Sequence, residues 1–161
     1  MLERVFANRM PQKIGGIALA HMLNDDGAIE GEATVTRLGK HAYYILSAAA
    51  AEDRDFDWLG QHIQEGEDVT VTNVSQTYGN LVLAGPKARD VLSQVTRADL
   101  SNEAFRWFVS HVEGCAYGVN DLGFGSRKNG IQPIFIMKIN TCEGFMEVVL
   151  KPNNAFFSNM L

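Results

Sequence analysis

Two glutamates separated by one residue are the best candidates for chemistry in this sequence. Glu30 and Glu32 follow the turn signal 25–27 and begin a run that alternates polar and apolar residues. Alternate residues of a β-strand project from the same face, so the pattern predicts that the two carboxylates share a face. A carboxylate held there, in surroundings that exclude water, could accept a proton or stabilise a developing cation. The alternative interpretation of Glu32 is an ordinary solvated acid at the end of a strand.

Other residue types that often do chemistry lack a functional spacing. The four histidines are scattered along the chain: His21, His41, His62 and His111. They form no HExxH motif, and the two cysteines, Cys115 and Cys142, belong to no CxxC pair and are interpreted as free buried thiols. The glycine-rich stretch 123–130 lacks the Walker spacing and has Lys128 where a dinucleotide-binding motif needs glycine. These patterns favour loops and ordinary histidines over a metal centre or a nucleotide site.

The composition is typical of a globular domain. The chain has 161 residues, of which 46% are hydrophobic and 20% are charged, and this is enough to bury a real core. The formal net charge of -5 leaves no broad cationic surface for phosphates, which argues against nucleic acid as a partner. The opening sequence lacks the layout of a secretory signal, and no stretch approaches the roughly 18 apolar residues needed to span a bilayer. These features predict a cytoplasmic protein that does not bind to membranes.

The elements that must position Glu32 follow from the hydrophobic pattern. Extended, β-branched or alternating runs predict five strands: 17–24, 32–38, 43–46, 69–74 and 81–85. Apolar residues at three- and four-residue spacing predict helices at 48–63 and 88–95. The order βββ, α, ββ, α predicts an α+β fold in which an antiparallel sheet has helices packed on one face.

The character of the chain changes after about residue 113. Residues 114–161 contain three acids and four bases, a net charge of +1, so residues 1–113 have a net charge of -6. The later part is also rich in Gly and Asn, with one apolar run at 131–139 that is consistent with a strand. We therefore divide the chain into a domain at 1–113 and a divergent tail at 114–161.

Three separated blocks resemble a known family in order and spacing. They are HMLNDDGAIEGEATVTRL, YYILSAAAAEDRDFDWL and VTVTNVSQTYGNLVLAGPKARDVLSQVTRADLSNEAF. Together they resemble the folate-binding domain of the aminomethyltransferase family, which includes the glycine-cleavage T-protein. The DWL, GPKARDVL and DLSNEAF blocks are most similar to the version fused to the carboxyl side of flavin-dependent dimethylglycine and sarcosine dehydrogenases. The resemblance covers residues 1–113.

The resemblance implies one-carbon transfer to tetrahydrofolate. In the fused enzymes a flavin domain oxidises an N-methyl amine, and the folate domain presents the reduced folate that captures the carbon. FAD would then belong only to a partner domain that this chain lacks. Family members place an acid, usually Asp, immediately before the strand of the first block, and the matching residue here is Glu32. Thr34 is implied as a pterin contact, with ordinary strand packing as its alternative, and Leu46 and Ser47 are implied to line the same pocket.

Other matching residues are interpreted as structure. Arg37 is expected to end its strand in a salt bridge or in solvent. Phe56 and Trp58 are expected to pack in the core, and Ser101 or Asn102 to cap a short helix.

Parts of the family pattern have no match here. The opening strand of the family domain and its closing YVGE-type motif are both absent, so we expect a partial domain. A different reading frame or a truncated gene model is our hypothesis for residues 114–161. Two alternatives stay open: a stand-alone aminomethyltransferase that works with a lipoyl carrier protein, and a non-catalytic folate-binding module. The second class usually has a reactive cysteine, to which Cys115 is only loosely similar.

Overall fold

The computed structural model describes residues 1–75, 79–94, 96–101 and 103–104, together with three strands at 120–124, 134–139 and 146–150. The helices are α1 (Leu2–Val5), α2 (Glu52–Gln61) and α3 (Ala88–Leu92), and a 3₁₀ turn (Ala49–Ala51) precedes α2. The strands are β1 (Ile17–Leu23), β2 (Ile29–Arg37), β3 (Ala42–Ser47), β4 (Val69–Asn73), β5 (Gly79–Ala84), β6 (Asn120–Phe124), β7 (Ile134–Ile139) and β8 (Met146–Leu150).

The strands form two antiparallel sheets. The larger sheet has five strands in the order β1-β2-β3-β8-β4, and the smaller one has the order β5-β7-β6. A tight hairpin joins β1 to β2, with Gly27 at a φ of 78°, a conformation that glycine adopts without strain. The side-chain Oδ1 of Asn24 accepts hydrogen bonds from the backbone N–H groups of Asp26 and Ala28, which closes the turn.

The main core lies on one face of the larger sheet. Strand residues with alternate spacing point into it, among them Val35 and Ile45, which are less than 2% exposed. The opposite layer is made of α1 and α2, which contribute Leu2, Val5 and Leu59 to the same cluster. Because α1 and α2 cover the same face, the α+β prediction with helices on one face of an antiparallel sheet is confirmed.

The predicted order of strands and helices is also found, with differences at both ends of the chain. The five predicted strands correspond to β1–β5, and the two predicted helices correspond to the 3₁₀ turn with α2 and to α3. Helix α1 was not predicted, because four residues are too few to show a helical period. The apolar run 131–139 contains β7, whereas β6 and β8 correspond to no predicted strand.

Strands of the tail pair with strands of the first part of the chain. β7 pairs with β5, and β8 lies between β3 and β4 in the larger sheet. The division at residues 113 and 114, and the origin of the tail, stay predictions. Cys115 and Cys142 lie outside the described residues.

Arg37 ends β2 as expected, but backbone carbonyls hold its side chain instead of a salt bridge or solvent. Its guanidinium donates hydrogen bonds to the backbone carbonyl oxygens of Gln12, Gly39 and Lys40, at 2.8–3.0 Å. It also lies 5.7 Å from the centroid of the Tyr43 ring. Arg37 therefore ties the loop before β1 to the turn after β2, a role that requires several donors in a rigid plane. Phe56 and Trp58 pack against the main core as predicted.

Candidate functional site: a polar pocket at the end of strand β3

A pocket of about 270 Å³ lies where β3 ends and the chain enters the 3₁₀ turn and α2. The four residues that the family resemblance implied, Glu32, Thr34, Leu46 and Ser47, all line this pocket. The other lining residues come from the strands, the turn and the first part of α2: Leu19, Ala33, Ala48, Ala51, Arg54 and Asp55. The pocket therefore combines apolar and polar lining residues in equal number, and three of the polar ones, Glu32, Arg54 and Asp55, carry charge.

The register of the three-stranded meander brings these residues together. Thr34 of β2 pairs with Leu19 of β1 on one side and with Leu46 of β3 on the other. Residues that are directly opposite in antiparallel strands project from the same face at close distance. Leu19, Thr34 and Leu46 therefore form a row across three strands, whereas Ser47 and its partner Ala33 are one residue out of step with that row and belong to the opposite face of the sheet.

Glu32 meets a histidine that sequence analysis had set aside. The register places His21 of β1 directly opposite Glu32 of β2, and His21 Nε2 lies 3.0 Å from Glu32 Oε2. The side chain of Glu32 is 58% exposed, so the water-excluding surroundings considered for a proton acceptor are not present around the carboxylate. His21 and Glu32 are equally far from the Asp26-Gly27 turn, and counting outward from that turn could have paired them.

Glu30 does not take part in the pocket. Its Oε1 accepts a hydrogen bond of 2.9 Å from Asn24 Nδ2 at the hairpin end. The candidate pair of glutamates therefore divides into one residue that supports the hairpin and one that lines the pocket.

A buried acid forms another part of the pocket wall. Asp55 is 1% exposed, and its Oδ1 accepts two hydrogen bonds from the Arg54 guanidinium, at 2.7 and 3.0 Å. In the sequence, Asp55 is one of three acids in the first turn of α2, where acids favour the positive end of the helix dipole. Its helical position gave no sign that it would be buried against β2.

Gly31 makes room for this pair. A Cβ atom at Gly31 would lie 3.2 Å from Arg54 Nη2 and 3.3 Å from Asp55 Oδ1. It would also lie 2.5 Å from the terminal methyl of Met22. The absence of a side chain at Gly31 thus allows the Arg54–Asp55 pair to pack against β2 immediately beside Glu32.

The described residues contain no cluster of His, Cys, Asp and Glu that could hold a metal ion. Within that same part of the chain, no helix is long and apolar enough to cross a membrane.

Comparisons with known proteins show the family of the chain. The model of one family, described as the GCVT N-terminal domain, matches residues 1–120. This match includes β1–β5, α2, α3 and every lining residue of the pocket. The chain belongs to the GCVT N-terminal domain family.

Curated relatives include two kinds of protein. The chain is 32% identical over 108 residues to the mitochondrial dimethylglycine dehydrogenase of Homo sapiens, and 33% identical over 108 residues to that of Mus musculus. It is 38% identical over 101 residues to an aminomethyltransferase of Listeria welshimeri. The alignments cover 66% of this chain and 12% of each dehydrogenase, or 63% of this chain and 27% of the aminomethyltransferase. The chain thus spans a small part of the relatives that it matches.

Proposed function

We propose that this chain forms the reduced-folate-binding part of an enzyme that passes a one-carbon unit from an N-methyl amine, such as dimethylglycine or sarcosine, to tetrahydrofolate. One observation carries the proposal. The acid, the hydroxyl groups and the leucine implied by the family motif line a single pocket, although they come from two different strands.

The chemistry of the pocket fits part of a reduced folate. Its volume of about 270 Å³ is near the lower end for ligand sites, so it suits a fused heterocyclic head group better than a whole folate. Leu19 and Leu46 provide apolar contact for a flat ring. Glu32 offers a carboxylate to ring N–H donors, while the hydroxyl groups of Thr34 and Ser47 can each donate and accept.

The roles of the residues follow from these groups. When bound, tetrahydrofolate supplies the nitrogens that accept the one-carbon unit. Glu32 would orient the ring through a charge-assisted hydrogen bond. Thr34 and Ser47 would fix the ring in its plane. The Arg54–Asp55 pair would hold the pocket wall in shape.

The amine chemistry belongs outside this chain. Oxidation of an N-methyl amine to an iminium removes two electrons, and we assign that step to a flavin domain carrying FAD. The dimethylglycine dehydrogenase relatives support this assignment, since they are much longer than the aligned region. We further propose a cytoplasmic location. Reduced folate and the amine are the proposed partners; neither nucleic acid nor a membrane is among them.

A stand-alone aminomethyltransferase is the second candidate. The Listeria welshimeri protein favours it, because its identity of 38% exceeds that of the two mitochondrial dehydrogenases. In that case the carbon would arrive from a lipoyl carrier protein instead of a flavin domain. Sequence flanking the gene discriminates between the two, since an upstream GxGxxG region for a dinucleotide favours the dehydrogenase.

Titration calorimetry with folinate, a stable reduced folate, tests the binding proposal on the 161-residue chain. We expect binding that Glu32→Ala weakens by about tenfold or more, the size expected for one charged hydrogen bond.

Glu30→Ala is the matched control, because Glu30 lies on the same strand but does not line the pocket. It should change the dissociation constant by less than about twofold. A folded chain that binds no folinate, or equal losses in the two variants, would contradict the proposal.

A further inference from the structure

We propose that His21 is a positioning residue for Glu32, and that it holds the carboxylate in the orientation that receives the folate ring. The inference deepens the proposed function and rests on it. His21 does not line the pocket, so its effect on a ligand would pass through Glu32.

The contact between the two residues leaves half of the carboxylate available. His21 Nε2 lies 3.0 Å from Oε2 of Glu32. In the described part of the chain, Oε1 of Glu32 has no hydrogen-bond partner. His21 can therefore hold the carboxylate through Oε2, while Oε1 stays available to accept a hydrogen bond from a ligand.

The side chain of Glu32 needs such a restraint. It has three rotatable bonds and is 58% exposed, so without a partner it would populate many rotamers. A ligand that required one of these rotamers would then bind more weakly, because ordering the side chain would oppose binding. A preformed contact to His21 removes part of that cost before the ligand arrives.

His21 is well placed to act as the fixed partner. Its backbone N–H donates to Asn8 Oδ1 at 3.2 Å, and its carbonyl oxygen accepts from the Ala7 N–H at 2.9 Å. Both contacts come from the segment before β1, and they fix the backbone of this edge strand opposite Glu32. The side chain of His21 is 33% exposed, less than that of Glu32.

The chemistry of imidazole suits this role in both of its protonation states. His21 donates from Nε2 as the neutral Nε2–H tautomer and also as the imidazolium. The other charged groups of the pocket, the neighbouring residues Arg54 and Asp55, are paired with each other. His21 is therefore the partner that the described structure provides for Glu32.

A double-mutant cycle measured by folinate titration calorimetry tests the inference on the 161-residue chain. We expect His21→Ala to weaken binding by about fivefold, within the range found for residues in contact. In the Glu32→Ala background, the same change should have no further effect. His21→Gln should restore affinity to within about twofold, because its amide nitrogen can donate from nearly the same position.

The control variant is His41→Ala, which removes a histidine outside the pocket and should leave affinity unchanged. Circular dichroism checks that each variant folds, and His21→Leu replaces His21→Ala if the alanine variant does not.

The outcomes separate the two proposals. No folinate binding by the folded wild-type chain overturns the proposed function and this inference together. If Glu32→Ala weakens binding and His21→Ala does not, only the inference falls. A loss that persists in the Glu32→Ala background would show that His21 contacts the ligand itself and would also overturn it. If His21→Gln does not restore binding, hydrogen-bond donation from position 21 to Glu32 is not what supports the affinity, and the inference also falls.

Discussion

Two glutamates of this molecule have opposite environments. Both oxygens of Glu67 are occupied: the Arg4 guanidinium donates to Oε1 and Oε2 at 2.9 and 2.8 Å, and the backbone N–H of Gln64 donates to Oε2 at 2.9 Å. The amino group of Met1 lies 3.3 Å from Oε1. In the described structure the carboxylate of Glu32 has one hydrogen-bond partner, His21, which contacts a single oxygen. A fully engaged carboxylate joins chain segments, whereas a half-engaged one keeps an acceptor for a ligand.

The difference is visible in the ionisation of Glu67. The hydrogen bonds from Arg4 and from the Gln64 backbone lower the pKa of Glu67 from its ordinary 4.5 to about 2. The N-terminal ammonium acts in the same direction. These contacts attach α1 to the segment between α2 and β4, so Glu67 supports the fold and not the pocket.

The largest expected effect is at Asp55, which combines both kinds of role. Asp55→Ala removes a 1% exposed carboxylate that accepts two hydrogen bonds from Arg54. We expect a loss of about 2 kcal/mol of unfolding free energy, because Arg54 is half exposed and can turn to water instead of remaining as a buried unpaired charge. Folinate affinity should fall as the pocket wall loosens. Urea unfolding and calorimetry measure the two effects.

Asp53→Ala is the control for Asp55→Ala, since Asp53 is an exposed acid in the same turn of α2. Its unfolding free energy should change by no more than about 0.5 kcal/mol. Equal stability losses in the two variants would show that helix position, not the buried pair, is responsible.

A smaller effect is expected at Gly31. In Gly31→Ala the new Cβ would lie 2.5 Å from the terminal methyl of Met22, whose flexible side chain can shift. The crowding should cost about 1 kcal/mol and be partly offset by the lower entropy of the unfolded chain. Gly60→Ala, which has open space on the surface of α2, should stabilise the protein instead. Thermal unfolding that shifts in the same direction for both variants would contradict this prediction.

The smallest effect, and the one that tests the contrast between Glu67 and Glu32 most directly, is the pH dependence. Because the pKa of Glu67 is depressed in the folded state, its contribution to stability is present above pH 4.5 and is lost as the pH falls toward 2. We expect Glu67→Gln to be less stable than wild type at neutral pH and to lose stability less steeply on acidification. Its folinate affinity should not change.

Urea unfolding at a series of pH values measures this difference, with Glu65→Gln as an exposed neighbour for comparison. A steep acid loss that persists in Glu67→Gln would assign the pH dependence to another group.

Local patterns predicted most of the first part of the fold. Alternation and helical spacing identified β1–β5, α2 and α3, because the period of apolar residues differs between strands and helices. The family motif also placed Glu32, Thr34, Leu46 and Ser47, which share a pocket. The expectations that no observation tests, above all their contacts with folate, stay predictions.

What the sequence did not reveal depends on packing between segments. The partnership of His21 and Glu32 joins two strands, so it depends on the hairpin register as well as on the pattern within each strand, and that register shifts between Met22 and Leu23. The sequence pattern around Asp55 is typical of a solvated acid at the start of a helix. Asp55 is buried instead, because Gly31 has no side chain and leaves room for its carboxylate. Arg37 has carbonyl partners on two loops that no local pattern connects to it.

The position of β8 has a consequence for how the protein is made. β3 and β4 become hydrogen-bonded members of one sheet through β8, which comes much later in the chain. During synthesis the facing edges of β3 and β4 have no hydrogen-bond partner strand until residues 146–150 have left the ribosome. Contacts between segments that are distant in sequence also form slowly. Open strand edges are the sites where nascent chains join to one another. Completion of the larger sheet is therefore a late folding event, and it exposes the growing chain to aggregation until its final strand is in place.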